Sequence, residues 1–416
     1  MNVVVVTAHN SLLSYDPSSS SWGELASGDR CMLYSAHLLL FPPVDADPRP
    51  CHRLLVAAGT VFGEILVWSV RIDSLNSLGD TRNAETHYRL LGHEGSIFGV
   101  NISPIYEDNK QYLVSCSDDR TIRVWDISQL SFLPSTAETA EPKKTGFSHR
   151  IQPGGECISI GWGHGARIWG VRFFPELNNG KIWLLSISED LTSRLWSLDL
   201  EQSSTITGGT RLENIATYLL HSGKNIWSYD LDFEKGLLAT GGADGRISLV
   251  RYRDDQKTSK KGWDMQAVLH EVLGPAPEDQ TQGRPKNKAS KGQDTFREYA
   301  ALDKDRFVAT TTQGRVLVYT LGHNKWCLLG QWEELSGWSI LGAWEGTNLI
   351  ALGNRTGEVG VIDAASRSEW WWEAAEGDRG KVAGVFLGKS GTGGWWATHG
   401  RSFLWALYLI QFTSFS

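Results

Sequence analysis

Short runs of alternating apolar and polar residues, broken by turn residues, recur along most of the chain and predict strands. The stretch from Ser96 to Ile127 shows the pattern: "SIFGVNIS", a turn, "YLVSCS", a second turn, then "TIRVWDI", each run enriched in β-branched and aromatic residues. The whole unit then repeats. "GHEGSIFGV" from Gly92 and "GHGARIWGV" from Gly163 align without a gap, His93 precedes Asp119 by 26 residues, and His164 precedes Asp190 by the same 26. Two independent catalytic sites would not be expected to share that register, whereas a repeating four-stranded antiparallel sheet would. The predicted fold class is all-β.

Other units keep the pattern with losses. "HSGKNIWSYDLDFEKGLLATGGADGRISLVRY" carries His221, Thr240 and Asp244 but has Val250 where a third-strand tryptophan is expected. "LLVAAGTVFGEILVWSV" keeps Trp68 but has Phe62 at the aspartate position. "RFVATTTQGRVLVYTL", "NLIALGNRTGEVGVID" and "GWWATHGRSFLWAL" keep strand, turn and strand around Gly314, Gly357 and Gly400, without the polar set. Third-strand positions fall at Tyr15, Trp68, Trp125, Trp196, Val250, Tyr319, Ile362 and Trp405, a series that one ring or two could accommodate. Residues 254–293 are Lys-, Gly- and Pro-rich with little periodicity and read as a basic linker. The expected organisation is a first repeat domain at 1–253, that linker, and degenerate units at 294–416 that either start a second domain or close the first. The first unit begins in mid-sheet, at "NVVVVTAHNSLLSYD", as expected of a piece of something longer.

Composition narrows the function classes. At 416 residues the chain is longer than one compact core usually organises, which also favours repeats. Tryptophan and turns are used over and over, with 19 Trp and 44 Gly against 3 Met. A net charge of -7 gives no global attraction to nucleic acid or anionic lipid, so such binding would need local basic patches. The five cysteines, Cys31, Cys51, Cys116, Cys157 and Cys327, form no CxxC pair and suit reduced thiols in a cytoplasmic setting, without structural zinc. The N-terminal valine run lacks the basic region of a signal peptide, and "FLWALYLIQF" is far shorter than the ~20 residues of a membrane helix. GxSxG, GxxxxGK[ST], GxGxxG and HExxH are absent, so no catalytic residue, metal ligand or cofactor is assigned.

The Gly-His start and Trp-Asp end of these units resemble the WD-repeat family, whose repeat marks one blade of a β-propeller. The resemblance implies WD-repeat β-propeller blades, each a four-stranded antiparallel sheet held by a hydrogen-bonded tetrad of His, Ser or Thr, Asp and Trp. Carried over by position, these are His93, Ser115, Asp119 and Trp125 in one blade and His164, Ser186, Asp190 and Trp196 in the next. A third blade supplies His221, Thr240 and Asp244. The chemistry agrees, because a buried imidazole and a buried indole N–H each need a partner. Asp119 is then structural rather than catalytic, and its neighbour Asp118 is expected to point to solvent. Taken in order from "VVVVTAHNSLLSYDP" to "LATGGADGRISLV", the peptides are similar to the N-terminal part of the WD repeat-containing protein six family, well over 1–253 and more faintly over 294–416. That resemblance implies a non-catalytic partner of a tRNA 2′-O-ribose methyltransferase subunit, positioning tRNA for methylation of the wobble nucleotide.

Two features bear on tRNA contact. Phe98, Trp169 and Trp227 occupy one position in three successive units, just after Ile97, Ile168 and Ile226, and are candidates for stacking unpaired bases. The competing reading is that they pack between blades. Arg284, Lys286, Lys288 and Lys291 form a run with no acidic residue among them and are candidates for phosphate contact, against the alternative of a solvated linker. A methyltransferase core would need helices that the periodicity does not predict. The alternatives to the RNA-modification scaffold are a protein-only adaptor, such as a ubiquitin-ligase substrate receptor or a signalling or trafficking scaffold, and an enzyme built from propeller loops.

Overall fold

The computed structural model describes residues 3–16, 21–41, 52–72, 84–106, 109–132, 155–200, 212–222, 225–233, 236–244, 246–252, 261–274, 294, 296–303, 305–337, 339–343, 348–354, 358–372, 388–389, 395–397 and 408–410. Within them the strands pair into eight antiparallel sheets, six of four strands and two of three. We number these blades in chain order. Blade 1 holds Val3–Val6, Ser11–Asp16 and Ser21–Ser27; blade 2 holds Leu33–Phe41, His52–Thr60, Ile65–Ile72 and Glu85–Leu90. Blade 3 is Ile97–Ile102, Tyr112–Ser117, Ile122–Asp126 and Cys157–Gly161, and blade 4 is Ile168–Phe173, Ile182–Ser188, Thr192–Leu198 and Leu212–Leu219. Blades 5, 6 and 7 start at Ile226, Phe296 and Ser339, and blade 8 at Gly388. Each blade runs in sequence order, so each turn is local; Trp68, Trp125, Trp196, Val250, Tyr319 and Ile362 fall on third strands as expected, whereas Tyr15 lies on the second of the three strands described in blade 1. Trp405 lies outside the described residues. Among them, no helix is long and apolar enough to cross a membrane.

The second strand of blade 3, "YLVSCS", is buried at every position although its sequence barely alternates. A strand covered on both faces has no reason to alternate, and here each face meets a neighbouring blade. One cluster joins Leu55, Ala57 and Val67 of blade 2 to Val100, Leu113 and Trp125 of blade 3; another joins Val114 and Val124 of blade 3 to Val171, Leu184 and Trp196 of blade 4. Burial at about 25 cal/mol per Å² of apolar surface makes these faces the main source of stability. The first strands of blades 2, 3 and 4 pack on one another, as do those of blades 5, 6 and 7. Side chains cross between these strands: Ile102 N of blade 3 donates to His37 Nδ1 of blade 2 (3.3 Å) and Phe173 N of blade 4 to Asn101 Oδ1 of blade 3 (3.0 Å), while within blade 5 Leu231 N donates to Asp230 Oδ1 (2.9 Å).

The chain divides into two compact units, Met1–Leu219 with Ala375–Ser416, and Leu220–Ala374. The division thus falls one blade before the boundary expected at 253. Part of the expected 254–293 linker is also structured. Lys261–Asp264 is the fourth strand of blade 5, and Met265–Leu273 forms a helix the sequence reading did not predict. Its Val268 is buried and its Leu269 and Val272 partly so, against Leu237, Phe307 and Trp326 of blades 5 and 6. A nine-residue helix spans only about two and a half turns, too short a period to stand out from its basic surroundings.

Candidate functional site

In blade 3 a tight turn places Asp119 beside the loop that leads into the first strand. His93 Nδ1 lies 2.8 Å from Asp119 Oδ2, His93 Nε2 lies 2.8 Å from Ser115 Oγ, and Trp125 Nε1 donates to Ser115 Oγ at 2.9 Å. Blade 4 repeats this with His164–Asp190 at 2.9 Å, His164–Ser186 at 2.7 Å and Trp196–Ser186 at 2.8 Å. In blade 5, His221 meets Asp244 at 3.0 Å and Thr240 at 2.9 Å, with Val250 in place of the indole. Thr121 and Thr192 also donate to their aspartates, at 2.7 and 2.6 Å.

The proton inventory closes with a neutral imidazole: Trp N–H to Ser Oγ, Ser O–H to His Nε2, His Nδ1–H to Asp. Burial holds His93 and His164 below the ordinary imidazole value despite the carboxylates beside them. Burial alone would raise Asp119 and Asp190, but the bonds from His and Thr outweigh it and hold both well below the usual carboxylate range. Ser, His and Asp thus stand in the order of a nucleophilic triad. The resemblance stops at access. Ser115 and Ser186 are fully buried and each Oγ already accepts from an indole, so no substrate carbonyl can approach. Among the described residues, no group of three or more His, Cys, Asp or Glu could hold a metal ion.

Two polar centres replace the tetrad where the sequence showed only its loss. Trp68 of blade 2 donates its indole N–H to Asn10 Oδ1 (2.9 Å), from the turn of blade 1. Asn10 sits at φ 64°, a left-handed conformation that asparagine tolerates. Gly28 makes the room, since a Cβ there would lie 2.5 Å from Asn10 Nδ2 and 2.8 Å from the Trp68 ring. In blade 6, Asp294 accepts from Thr312 Oγ1 (3.0 Å), Gln313 N (2.8 Å) and Arg315 Nη1 (2.5 Å). Here the carboxylate comes from the entering loop and its donors from the turn, the reverse of the His–Asp arrangement.

The aromatic positions coincide with a backbone feature. The register of the first strand shifts between Leu33 and Ser35, Ile97 and Gly99, Ile168 and Gly170, and Ile226 and Ser228. The residues skipped are Tyr34, Phe98, Trp169 and Trp227, so each sits on a β-bulge, which re-aims its side chain. Tyr34 stacks on Phe98 at 5.2 Å, and Phe98 meets Trp169 edge-on at 4.9 Å. All three are half-buried. The Trp227 side chain, and Arg284, Lys286, Lys288 and Lys291, lie outside what is described. Beside this row, the Arg167 guanidinium lies 5.3 Å from the centre of the Trp169 ring, 3.0 Å from Glu189 and 3.3 Å from Asp118. Asp118 therefore does not simply point to solvent. Its turn abuts the loop of the next blade, where Arg167 reaches it. Tyr34 and Arg167 escaped the sequence reading because blade 2 lacks a Gly-His start and Arg167 has no counterpart in the neighbouring units.

A family model described as WD domain, G-beta repeat matches residues 85–126, which hold the whole His93 tetrad. That unit is a WD repeat, and the other antiparallel sheets are consistent with WD-repeat propeller blades. Over 368 residues, 87% of this chain and 26% of the relative, the chain is 26% identical to the tRNA (34-2′-O)-methyltransferase regulator WDR6 of Pongo abelii. The protein of that description from Homo sapiens matches with the same identity and coverage. The chain is also 23% identical over 260 residues to the probable cytosolic iron-sulfur protein assembly protein 1 of Scheffersomyces stipitis, covering 53% of this chain and 68% of that one. It spans about a quarter of the length of the WDR6 relatives, 26% in each.

Proposed function

We propose that this chain is a non-catalytic WD-repeat scaffold that binds a tRNA ribose methyltransferase and positions tRNA for 2′-O-methylation of the wobble nucleotide. The observation that carries this reading is the similarity, spread over 87% of the chain, to proteins described as tRNA (34-2′-O)-methyltransferase regulators. The geometry is compatible with it. The Ser-His-Asp sets are consumed in holding the blades, which leaves the chemistry to a partner. In this reading phosphate contact falls to the basic run from Arg284 to Lys291 and contributes a salt-dependent part of the affinity. Cytoplasmic residence belongs to the same proposal.

Affinity purification of the tagged chain from its own cells, with bound proteins and small RNA identified together, tests it. A ribose methyltransferase recovered with tRNA supports the scaffold. Ubiquitin-ligase subunits without RNA, or turnover by the chain alone, overturn it.

A further inference from the structure

Three consecutive first-strand bulges bring Tyr34, Phe98 and Trp169 into one contiguous row. At its end a guanidinium already rests near an indole ring, Arg167 at 5.3 Å from Trp169, a separation at which cation and ring quadrupole attract. That single cation is shared between two carboxylates, Glu189 at 3.0 Å and Asp118 at 3.3 Å. All three side chains are reachable, at 45% exposure for Arg167, 31% for Glu189 and 37% for Asp118. Glu94, whose backbone N–H donates to Asp119, is exposed on the adjoining loop. One guanidinium thus faces two carboxylates. Burial pushes Asp118 up, and Glu189 and Asp119 add to that against the pull of Arg167.

We infer that the row of Tyr34, Phe98 and Trp169, flanked by Asp118 and Glu189, is a docking site for an arginine or lysine side chain of a partner protein. The charges choose between the two ligands that aromatic rows commonly take. A nucleotide would stack on the rings but bring its phosphate toward Asp118 and Glu189, where like charges repel. A cationic side chain gains from both: its charge offsets the second of the two carboxylates that share Arg167, and its planar or methylene part lies on the rings. Arg167 marks the mode of binding and competes for the same groups. The inference goes beyond the proposed function and holds whether or not the chain meets tRNA.

The test uses the full chain carrying fluorotryptophan, with the Trp169 fluorine resonance assigned from Trp169→Phe. Argininamide, adenosine 5′-monophosphate and sodium chloride are titrated at matched ionic strength. Argininamide is expected to shift the Trp169 resonance saturably, and Asp118→Asn with Glu189→Gln to weaken it by about fivefold, the scale of an exposed ion pair. Arg167→Gln is expected to tighten argininamide binding, an outcome that a damaged fold could not produce. A shift with the nucleotide and none with argininamide would make the row a base-binding surface. A shift with neither would make it packing alone, and an unchanged affinity in the neutralised variant would remove the carboxylates. Any of these overturns the inference.

Discussion

The indole N–H of Trp68 donates to Asn10 Oδ1 at 2.9 Å across 58 residues of sequence, tying the third strand of blade 2 to the turn of blade 1. Both residues are fully buried, so the bond cannot be replaced by water. Asn10→Ala orphans the indole N–H and is expected to cost about 1–3 kcal/mol. Trp68→Phe removes the orphan, so the double variant should lose less than the sum of the two single losses. A urea-unfolding mutant cycle reads this coupling, and strictly additive losses would contradict it.

The tetrad aspartates should rank by what they accept. Asp119 takes bonds from His93, the hydroxyl and N–H of Thr121, and Glu94 N, while Asp244 lacks any threonine hydroxyl. Asp119→Ala and Asp190→Ala are each expected to cost about 2–4 kcal/mol, and Asp244→Ala less. Thermal midpoints of the three variants check the order.

Acid should loosen the blades in a defined window. His87 is buried against Ser69 at 2.7 Å, and burial lowers it from 6.5 to about 4, with Glu85 opposing and Arg53 adding. The unfolded chain then binds the proton more readily than the folded one. Stability is therefore complete above the unfolded value of 6.5 and falls as pH drops from there toward about 4. His93 and His164 are shifted in the same direction and steepen the same window. His87→Gln should flatten the slope of thermal midpoint against pH between those values, and an unchanged slope would rule His87 out.

How far the sequence could be read follows from where the partners lie. The tetrads of blades 3 and 4 were legible because all four residues belong to one repeat and recur at one spacing. Asn10 was not, because it serves a tryptophan in the next blade. Asp294 and Arg315 were not, because donor and acceptor exchange places between loop and turn. The shared aromatic position was visible as a register in Phe98, Trp169 and Trp227, but the bulge behind it is a backbone event with no residue signature of its own.

The Asp294–Arg315 pair gives its own expectation. The carboxylate is almost fully buried and the guanidinium largely so. Asp294→Ala leaves that guanidinium, among the described residues, with Gln313 Oε1 at 2.8 Å, and is expected to cost about 2–4 kcal/mol. Hydrogen exchange should report the loss within Leu220–Ala374 and leave Met1–Leu219 unchanged.

The most direct measurement of the central claim is ribose methylation at nucleotide 34 of tRNA, the position named for the WDR6 relatives, in cells lacking this chain and in cells complemented with it. The scaffold account predicts that methylation at that nucleotide is lost without the chain, returns with the wild-type chain, and stays lost with Asp119→Ala combined with Asp190→Ala. Full methylation in the cells that lack the chain would contradict it.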